Sequence, residues 1–442
     1  MSGAGSPRIV YGIDERPAPA RASVLGLQHL VAMLLGNITP PLLIAGALGL
    51  PPERTALLLQ AILMMAGLAT IVQSYPIGPV GGRLPIVMGT SIAFVGAIIG
   101  IGRELGLAAV FGACLVAAVV EVVLGGAIGR LRRLFPPLVN ATVVMLIGLT
   151  LIPVGMDYAA GGVGAADYGS LTNLGIAALV GFVTLALNRF ARGVLRHGSM
   201  LIGAVAGYLL ALALGRVDFT GLDTVGWVAV PSPFAAGLEF HLGPIVLLGF
   251  VYLISAMETL GDIAGTLAAV GRRPTRRELK GGLVADGVMS AFAALFGAFP
   301  NTSYSQNVGL INFTGVASRH VTAVTGGFLV LLGLVPKVGA LFATIPAAVI
   351  GGGGLIMFAM IFTSGLAIVH RDVDLDRRAL VIIAVAVGLG LGVELRPDAL
   401  QHLPESVRSF FGAGLVTGGL TALVLNLVLP KRARPAEADD PS

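Results

Sequence analysis

Pro300-Asn301-Thr302-Ser303-Tyr304-Ser305-Gln306-Asn307-Val308-Gly309 is a stretch of small and polar residues set between long apolar runs. An earlier stretch, Pro85-Ile86-Val87-Met88-Gly89-Thr90-Ser91-Ile92-Ala93-Phe94, has the same character. Backbone of this kind is tolerated at membrane depth only where protein buries it or where it lines a cavity. The runs 84–102 and 301–316 therefore read as broken helices. Pro85 and Pro300 are 215 residues apart, close to half of the 442-residue chain. Duplication of seven spans turns the second copy upside down. That is the inverted repeat in which secondary transporters place their sites, where paired interrupted helices meet.

The rest of the chain fits this reading. It is 56% hydrophobic and only 12% charged, with a mean hydropathy of +0.92. A soluble domain carries about a quarter charged residues, so an ordinary soluble protein is excluded. A spanning helix needs about 20 apolar residues. Such runs cover 24–48, 55–74, 105–129, 137–155, 171–187, 201–214, 242–268, 281–299, 321–341, 347–369, 379–393 and 411–429. With the two broken runs they make fourteen spans, the broken ones third and tenth. The net charge of +5 does not point to nucleic acid, because the basic residues sit in short clusters between runs. Residues 1–22 lack the apolar centre of a signal peptide and read as a cytosolic tail. Cys114 is the single cysteine, which leaves no intrachain disulfide and no cysteine-based metal cluster.

The distribution of charge tests the span count. With the N-terminus inside, 22 Lys and Arg residues fall in the tails and cytosolic loops, and 6 fall opposite. A wrong number of spans would scramble this imbalance. Its strongest marks are Arg130-Leu131-Arg132-Arg133, the loop 272–280 and Lys431-Arg432-Ala433-Arg434.

Run eight holds Ser255-Ala256-Met257-Glu258-Thr259-Leu260-Gly261-Asp262. Glu258 and Asp262 are four apart and share one helix face. Acids inside a membrane are expensive and mark substrate or proton paths. For Asp262, bonding to the backbone of a broken helix is an equal alternative. Asp286, near the loop end of run nine, is a third such acid with a structural or proton-linked role. Gln306 and Asn307 stand where run ten resumes its helix. Their amides offer a donor and an acceptor side by side, which suits the edge of a heterocycle. The first-turn N–H groups there can hold an oxygen. Phe94 occupies the symmetry-related place in run three, where its ring stacks on a ligand or simply packs. His29, in the Gln28-His29 pair of run one, is either a satisfied core group or an orienter of the site. Glu121 in run four reads as a helix-packing acid, with a proton route as the alternative.

Gln306-Asn307-Val308-Gly309-Leu310-Ile311-Asn312-Phe313-Thr314-Gly315 resembles the signature of the nucleobase–ascorbate transporter family, also called nucleobase:cation symporter-2. That signature is Gln, Glu or Pro; Asn; any residue; Gly; four residues; Thr; then Arg, Lys or Gly. Glu258 to Asp262 is similar to the acidic motif of the family's purine branch. The Gln-His of run one and the Thr-Ser-x-Ala-Phe of run three also fit. The resemblance implies that Glu258 and Gln306 hold a purine ring by paired hydrogen bonds. Phe94 would stack or lend backbone, and Ala93 and Ser305 would lend backbone contacts. Asn307, Asp262, Asp286 and His29 would support the site or the proton step. The uracil branch typically has Glu at the place of Gln306 and His at that of Asp262, so both positions push the substrate toward xanthine or uric acid. Val308 departs from many purine members, which carry a second Asn there.

The expectation is an all-α polytopic membrane protein of fourteen transmembrane helices in a 7+7 inverted repeat. Residues 23–129 and 240–345 would form a core domain holding the site. Residues 130–239 and 346–430 would form a gate domain and a homodimer contact, with residues 431–442 a second cytosolic tail. The function implied is proton-coupled uptake of xanthine or uric acid by alternating access, in a plasma membrane or bacterial inner membrane, with both termini cytoplasmic. No cofactor, metal or nucleic acid is expected. Another nucleobase such as uracil, or anion exchange on the same fold, is the alternative. Two site acids argue against an anion, which prefers Arg or Lys. An intramembrane enzyme finds no support, since His-Glu-x-x-His, Gly-x-Ser-x-Gly and the P-loop are all missing.

Overall fold

The computed structural model describes residues 9–127, 136–223 and 225–430. The clusters at 130–133 and 431–434, with the C-terminal tail, lie outside the described residues. The chain runs α1 (Pro19–Ala47), α2 (Pro52–Ser74), β1 (Met88–Thr90), a 3-10 turn (Ile92–Phe94), α3 (Val95–Leu105), α4 (Leu107–Ala117) and α5 (Val119–Gly126). It continues through α6 (Pro137–Ala159), α7 (Leu171–Phe190), α8 (Val194–His197) and α9 (Ser199–Ala213). The second half holds α10 (Leu242–Ala269), α11 (Arg276–Leu295), β2 (Asn301–Ser303), α12 (Ser305–Thr314), α13 (Arg319–Gly333) and α14 (Pro336–Ala343). It ends with α15 (Ala347–Asp372), α16 (Arg377–Leu395), α17 (Glu405–Phe411) and α18 (Gly414–Val428).

Local chemistry sets many of these boundaries. Pro stands in the first turn of α1, α2, α6 and α14, where its missing N–H costs nothing. Thr275 and Glu278 close a reciprocal capping box at the start of α11. Gly315 ends α12 in the left-handed region, at φ 69°. Eight described helices are long and apolar enough to cross a membrane. The other runs are shorter or broken, and more are broken than the sequence suggested. Run eleven bends by 82° between α13 and α14. There Pro336 follows Val335, held in an extended conformation that a helix cannot continue through. Run four is one of the eight: α4 and α5 are parted only by Ala118, whose backbone stays helical.

The packing follows the inverted repeat. α2 lies along α13 as α11 lies along α5, and α1 meets α13 as α10 meets α4. α7 pairs with α9 as α16 pairs with α18, while α6 packs on its own counterpart, α15. Small residues let these helices close up. At the crossing of α2 and α13, a Cβ on Gly67 would stand 2.5 Å from the carbonyl of Gly326.

The tail ahead of α1 is docked. The N–H groups of Val10 and Tyr11 donate to the carbonyl of Gly315, at 2.8 and 3.2 Å, and that of Ala317 donates back to Tyr11. Asp14 accepts from Arg319 at 2.7 Å and pairs with Arg83 at 3.2 Å. The Arg319 guanidinium, helped by Arg83, holds the Asp14 carboxyl below the usual range.

Candidate functional site

The two broken stretches meet. β1 and β2 pair antiparallel, Met88 opposite Ser303, Gly89 opposite Thr302 and Thr90 opposite Asn301. The ladder extends through Ser91 N–H to the carbonyl of Pro300 at 2.9 Å, and Tyr304 N–H to that of Val87 at 3.0 Å. Backbone groups this deep must be satisfied within the protein, and here each interrupted helix satisfies the other. Side chains complete the frame. Asn37 accepts from the N–H of Thr90 at 2.7 Å, Thr70 from that of Met88 at 2.9 Å, and Ser290 from that of Asn301 at 2.9 Å. The Tyr304 hydroxyl donates to the carbonyl of Thr90 at 2.9 Å. Gly89 admits this closeness, since a Cβ there would lie 2.7 Å from the Tyr304 ring and 2.8 Å from Asn37.

Beyond the ladder, β1 leads through its 3-10 turn into α3 and β2 leads into α12. The N-terminal ends of two helices, with their unpaired donors, thus sit beside one short sheet. α10 packs against β2, α12 and the 3-10 turn. Its Asp262 takes one hydroxyl from each side of the break in run ten, Ser303 at 2.6 Å and Ser305 at 2.6 Å. Its partners are these hydroxyls rather than backbone amides of the broken helix. One turn earlier, Glu258 is half-buried and within electrostatic reach of Asp262 and Asp286. Asp286, fully buried on α11, accepts the hydroxyl of Thr259.

Gln306, second residue of α12, is exposed, and no described residue hydrogen-bonds its amide. Asn307 points the other way. Buried, it donates to the Nδ1 of His29 at 2.9 Å and to the His29 carbonyl at 3.1 Å. Phe94 is fully buried and meets Tyr252 edge-on, ring centroids 4.7 Å apart. Its ring is occupied by packing. Ala93 lines a cavity of about 990 Å³ with Ala97, Gly100, Val251 and Glu394. Glu258, Gln306 and Asn307 are not on that cavity's wall.

Several framework residues escape a reading of motifs alone: Asn37, Thr70, Tyr252, Thr259, Ser290 and Tyr304. Asn37 left a trace, as a polar residue in Gly36-Asn37-Ile38-Thr39-Pro40-Pro41 within run one. The hydroxyl residues left none, because Ser and Thr inside membrane helices commonly bond their own backbone.

Paired interrupted helices in an inverted repeat, beside a helix with buried carboxylates, define a secondary-transporter architecture. Among such proteins, this chain belongs to the nucleobase–ascorbate transporter family, its residues 20–399 matching the family's permease profile. It is similar to the xanthine permease XanP of Escherichia coli strain K12, 38% identical over 440 residues, covering 96% of this chain and 95% of that one. It is also similar to the uric acid transporter UacT of the same organism, 37% identical over 431 residues, covering 96% and 89%. Among solved structures, the transmembrane domain of the cyanobacterium bicarbonate transporter BicA superposes with a TM-score of 0.59 at 15% identity, covering 94% of this chain and 99% of that one. That last likeness is one of fold.

Proposed function

We propose that this protein takes up a purine nucleobase, xanthine or uric acid, together with a proton. The observation that carries the proposal is the clamp of Asp262 on Ser303 and Ser305. It draws the start of α12 onto α10, so that Gln306 and Glu258 flank the same break. Gln306 brings a donor and an acceptor that no described protein group claims, and Glu258 brings an acceptor that can also take a proton. A purine with alternating ring N–H and carbonyl groups suits this pair. The first-turn donors of α12 add a place for a ring oxygen. Relatives named as xanthine and uric acid carriers support the substrate class.

Asp262, Asn307 and His29 position these two groups, with Ala93, Phe94 and Ser305 lending backbone around the ring. Glu258 and Asp286 carry the coupling proton. Residues 23–129 and 240–345 act as a core that moves against a gate of residues 130–239 and 346–430. The cavity of about 990 Å³ supports this division, since α3 and α10 line one side of it and α6, α16 and α18 the other. The gate also joins two copies into a homodimer. The termini of this multi-pass membrane protein face the cytoplasm, in a plasma membrane or bacterial inner membrane.

The test is uptake of labelled xanthine by the reconstituted protein, with uric acid, guanine, hypoxanthine, uracil and sulfate as competitors. Uptake should be collapsed by a protonophore, persist when choline replaces sodium, and be competed by uric acid but not by sulfate. Competition by sulfate alone would assign an anion exchanger instead.

A further inference from the structure

Glu121 stands in the first turn of α5, three residues past Ala118. Its side chain is fully buried, and neither carboxylate oxygen has a hydrogen-bond partner among the described residues. Two neighbouring polar atoms are in the same condition. The hydroxyl of Ser255, on α10, is one, and it is the uncharged polar group nearest the Glu121 carboxyl. Oδ1 of Asp286, on α11, is unpartnered while Oδ2 is held by Thr259. The remaining titratable groups around Glu121 are Glu258 and Tyr252 on α10 and Cys114 on α4. None of these described neighbours is a cation.

An acid that only packs helices would be tied to a base or to backbone amides, and this one is not. An unpaired carboxylate at such depth is costly, and groups so placed mark proton paths. The position within the bundle gives the path a direction. α5 crosses α11 at Gly287, beside Asp286, where an added Cβ would lie 2.8 Å from the carbonyl of Ala118 and 3.0 Å from the Cβ of Glu121. One turn beyond Glu121, a Cβ on Gly125 would lie 3.3 Å from the carbonyl of Lys280, in the second turn of α11. Glu121 and Asp286 therefore sit side by side across the crossing of α5 and α11, and α5 leads on from Glu121 toward the basic first turns of α11.

We infer that Glu121 is a relay residue of the transport cycle, accepting from Asp286 the proton that Glu258 takes up and releasing it toward the 272–280 loop. The inference rests on the proton-coupled purine reading above. The proton is the only species moved, and each carboxyl returns to its starting state once per cycle. Because Glu121 does not touch the purine, its loss should separate two activities that a folding defect would lower together.

The experiment uses the full chain in proteoliposomes carrying trapped xanthine or a trapped pH indicator. In Glu121→Gln, exchange of internal for external labelled xanthine should stay within about twofold of the unmodified protein, whereas accumulation driven by a pH gradient should fall by about tenfold or more. Proton entry per xanthine, read by the indicator, should fall in parallel. In Glu121→Asp, accumulation should persist with a displaced pH profile. Normal accumulation and proton entry in Glu121→Gln would overturn the relay. So would an equal loss of exchange and accumulation, or a Glu121→Asp profile superposable on that of the unmodified protein. Failure of the purine reading shows separately, as absence of xanthine exchange in the unmodified protein, and failure of proton coupling as xanthine entry there without a change in the indicator.

Discussion

Asn307 donates from one amide nitrogen to both the ring nitrogen and the backbone carbonyl of His29, at 2.9 and 3.1 Å. This double bond of one residue to another ties the first turn of α12 to the middle of α1. It also requires the unprotonated Nδ1 of His29 as acceptor, since an amide NH₂ can only donate. The place of Gln306, one residue earlier, is therefore governed by run one.

Asn307→Ala should weaken xanthine binding although Asn307 faces away from Gln306. A buried polar group left unpaired costs about 1–3 kcal/mol, or roughly a factor of 5 to 150 if the loss is expressed in affinity. Binding of labelled xanthine to purified protein reads this directly. An unchanged affinity would show that the His29 contact does not position the site.

Glu258→Gln should abolish accumulation while leaving the amount of protein in the membrane unchanged. The amide keeps the shape of the carboxyl but cannot take up a proton. Undiminished concentrative uptake would remove Glu258 from the mechanism.

For Gln306→Glu the expected effect is on affinity. The carboxylate lacks the N–H that a ring carbonyl or bare ring nitrogen needs, a loss of about 1–3 kcal/mol and roughly 5- to 150-fold. Competition of labelled xanthine uptake over a range of concentrations measures it. An affinity equal to that of the unmodified protein would exclude direct contact.

Gly89→Ala tests the ladder. The added methyl would meet the Tyr304 ring and Asn37, both closer than van der Waals contact. Overpacking of this kind costs about 1–3 kcal/mol. Thermal unfolding in detergent should move to lower temperature, with purine binding impaired at temperatures where the protein is still folded. An unshifted transition would mean that β1 and β2 separate easily.

The docked tail supplies a prediction about pH. Asp14 is held below the usual carboxylate range by Arg319 and Arg83, so its contribution is present above the unfolded value and lost only as pH falls through the lowered one. Residues 9–18 should resist proteolysis equally at pH 7 and pH 5, and Asp14→Asn should expose them at both. The Asp14–Arg83 pair is solvent-facing, whereas Arg319 is buried, so high salt should mimic only the loss of the Arg83 contact. Release of the tail between pH 7 and pH 5 in the unmodified protein would contradict this.

What could be read from the chain alone is what depends on neighbours in sequence. The length of each apolar run follows from bilayer thickness, and both interrupted spans follow from polar residues and proline where a helix should continue. Glu258 and Asp262 share a face because four residues make about one helical turn. The family signature is likewise a contiguous string. Tertiary structure decided what depends on distant parts of the chain. The register of Gly89 against Thr302, the grip of Asp262 on Ser303 and Ser305, and the engagement of Phe94 with Tyr252 all depend on how helices cross. So do the sharp bend of run eleven and the docking of the tail on Gly315 and Arg319. Polar side chains at membrane depth must find partners, but residue type does not say which partner the packing brings within reach. Glu121 illustrates the difference: in sequence it passes for a packing acid, and only the crossing of α5 with α11 places it, unpaired, beside Asp286.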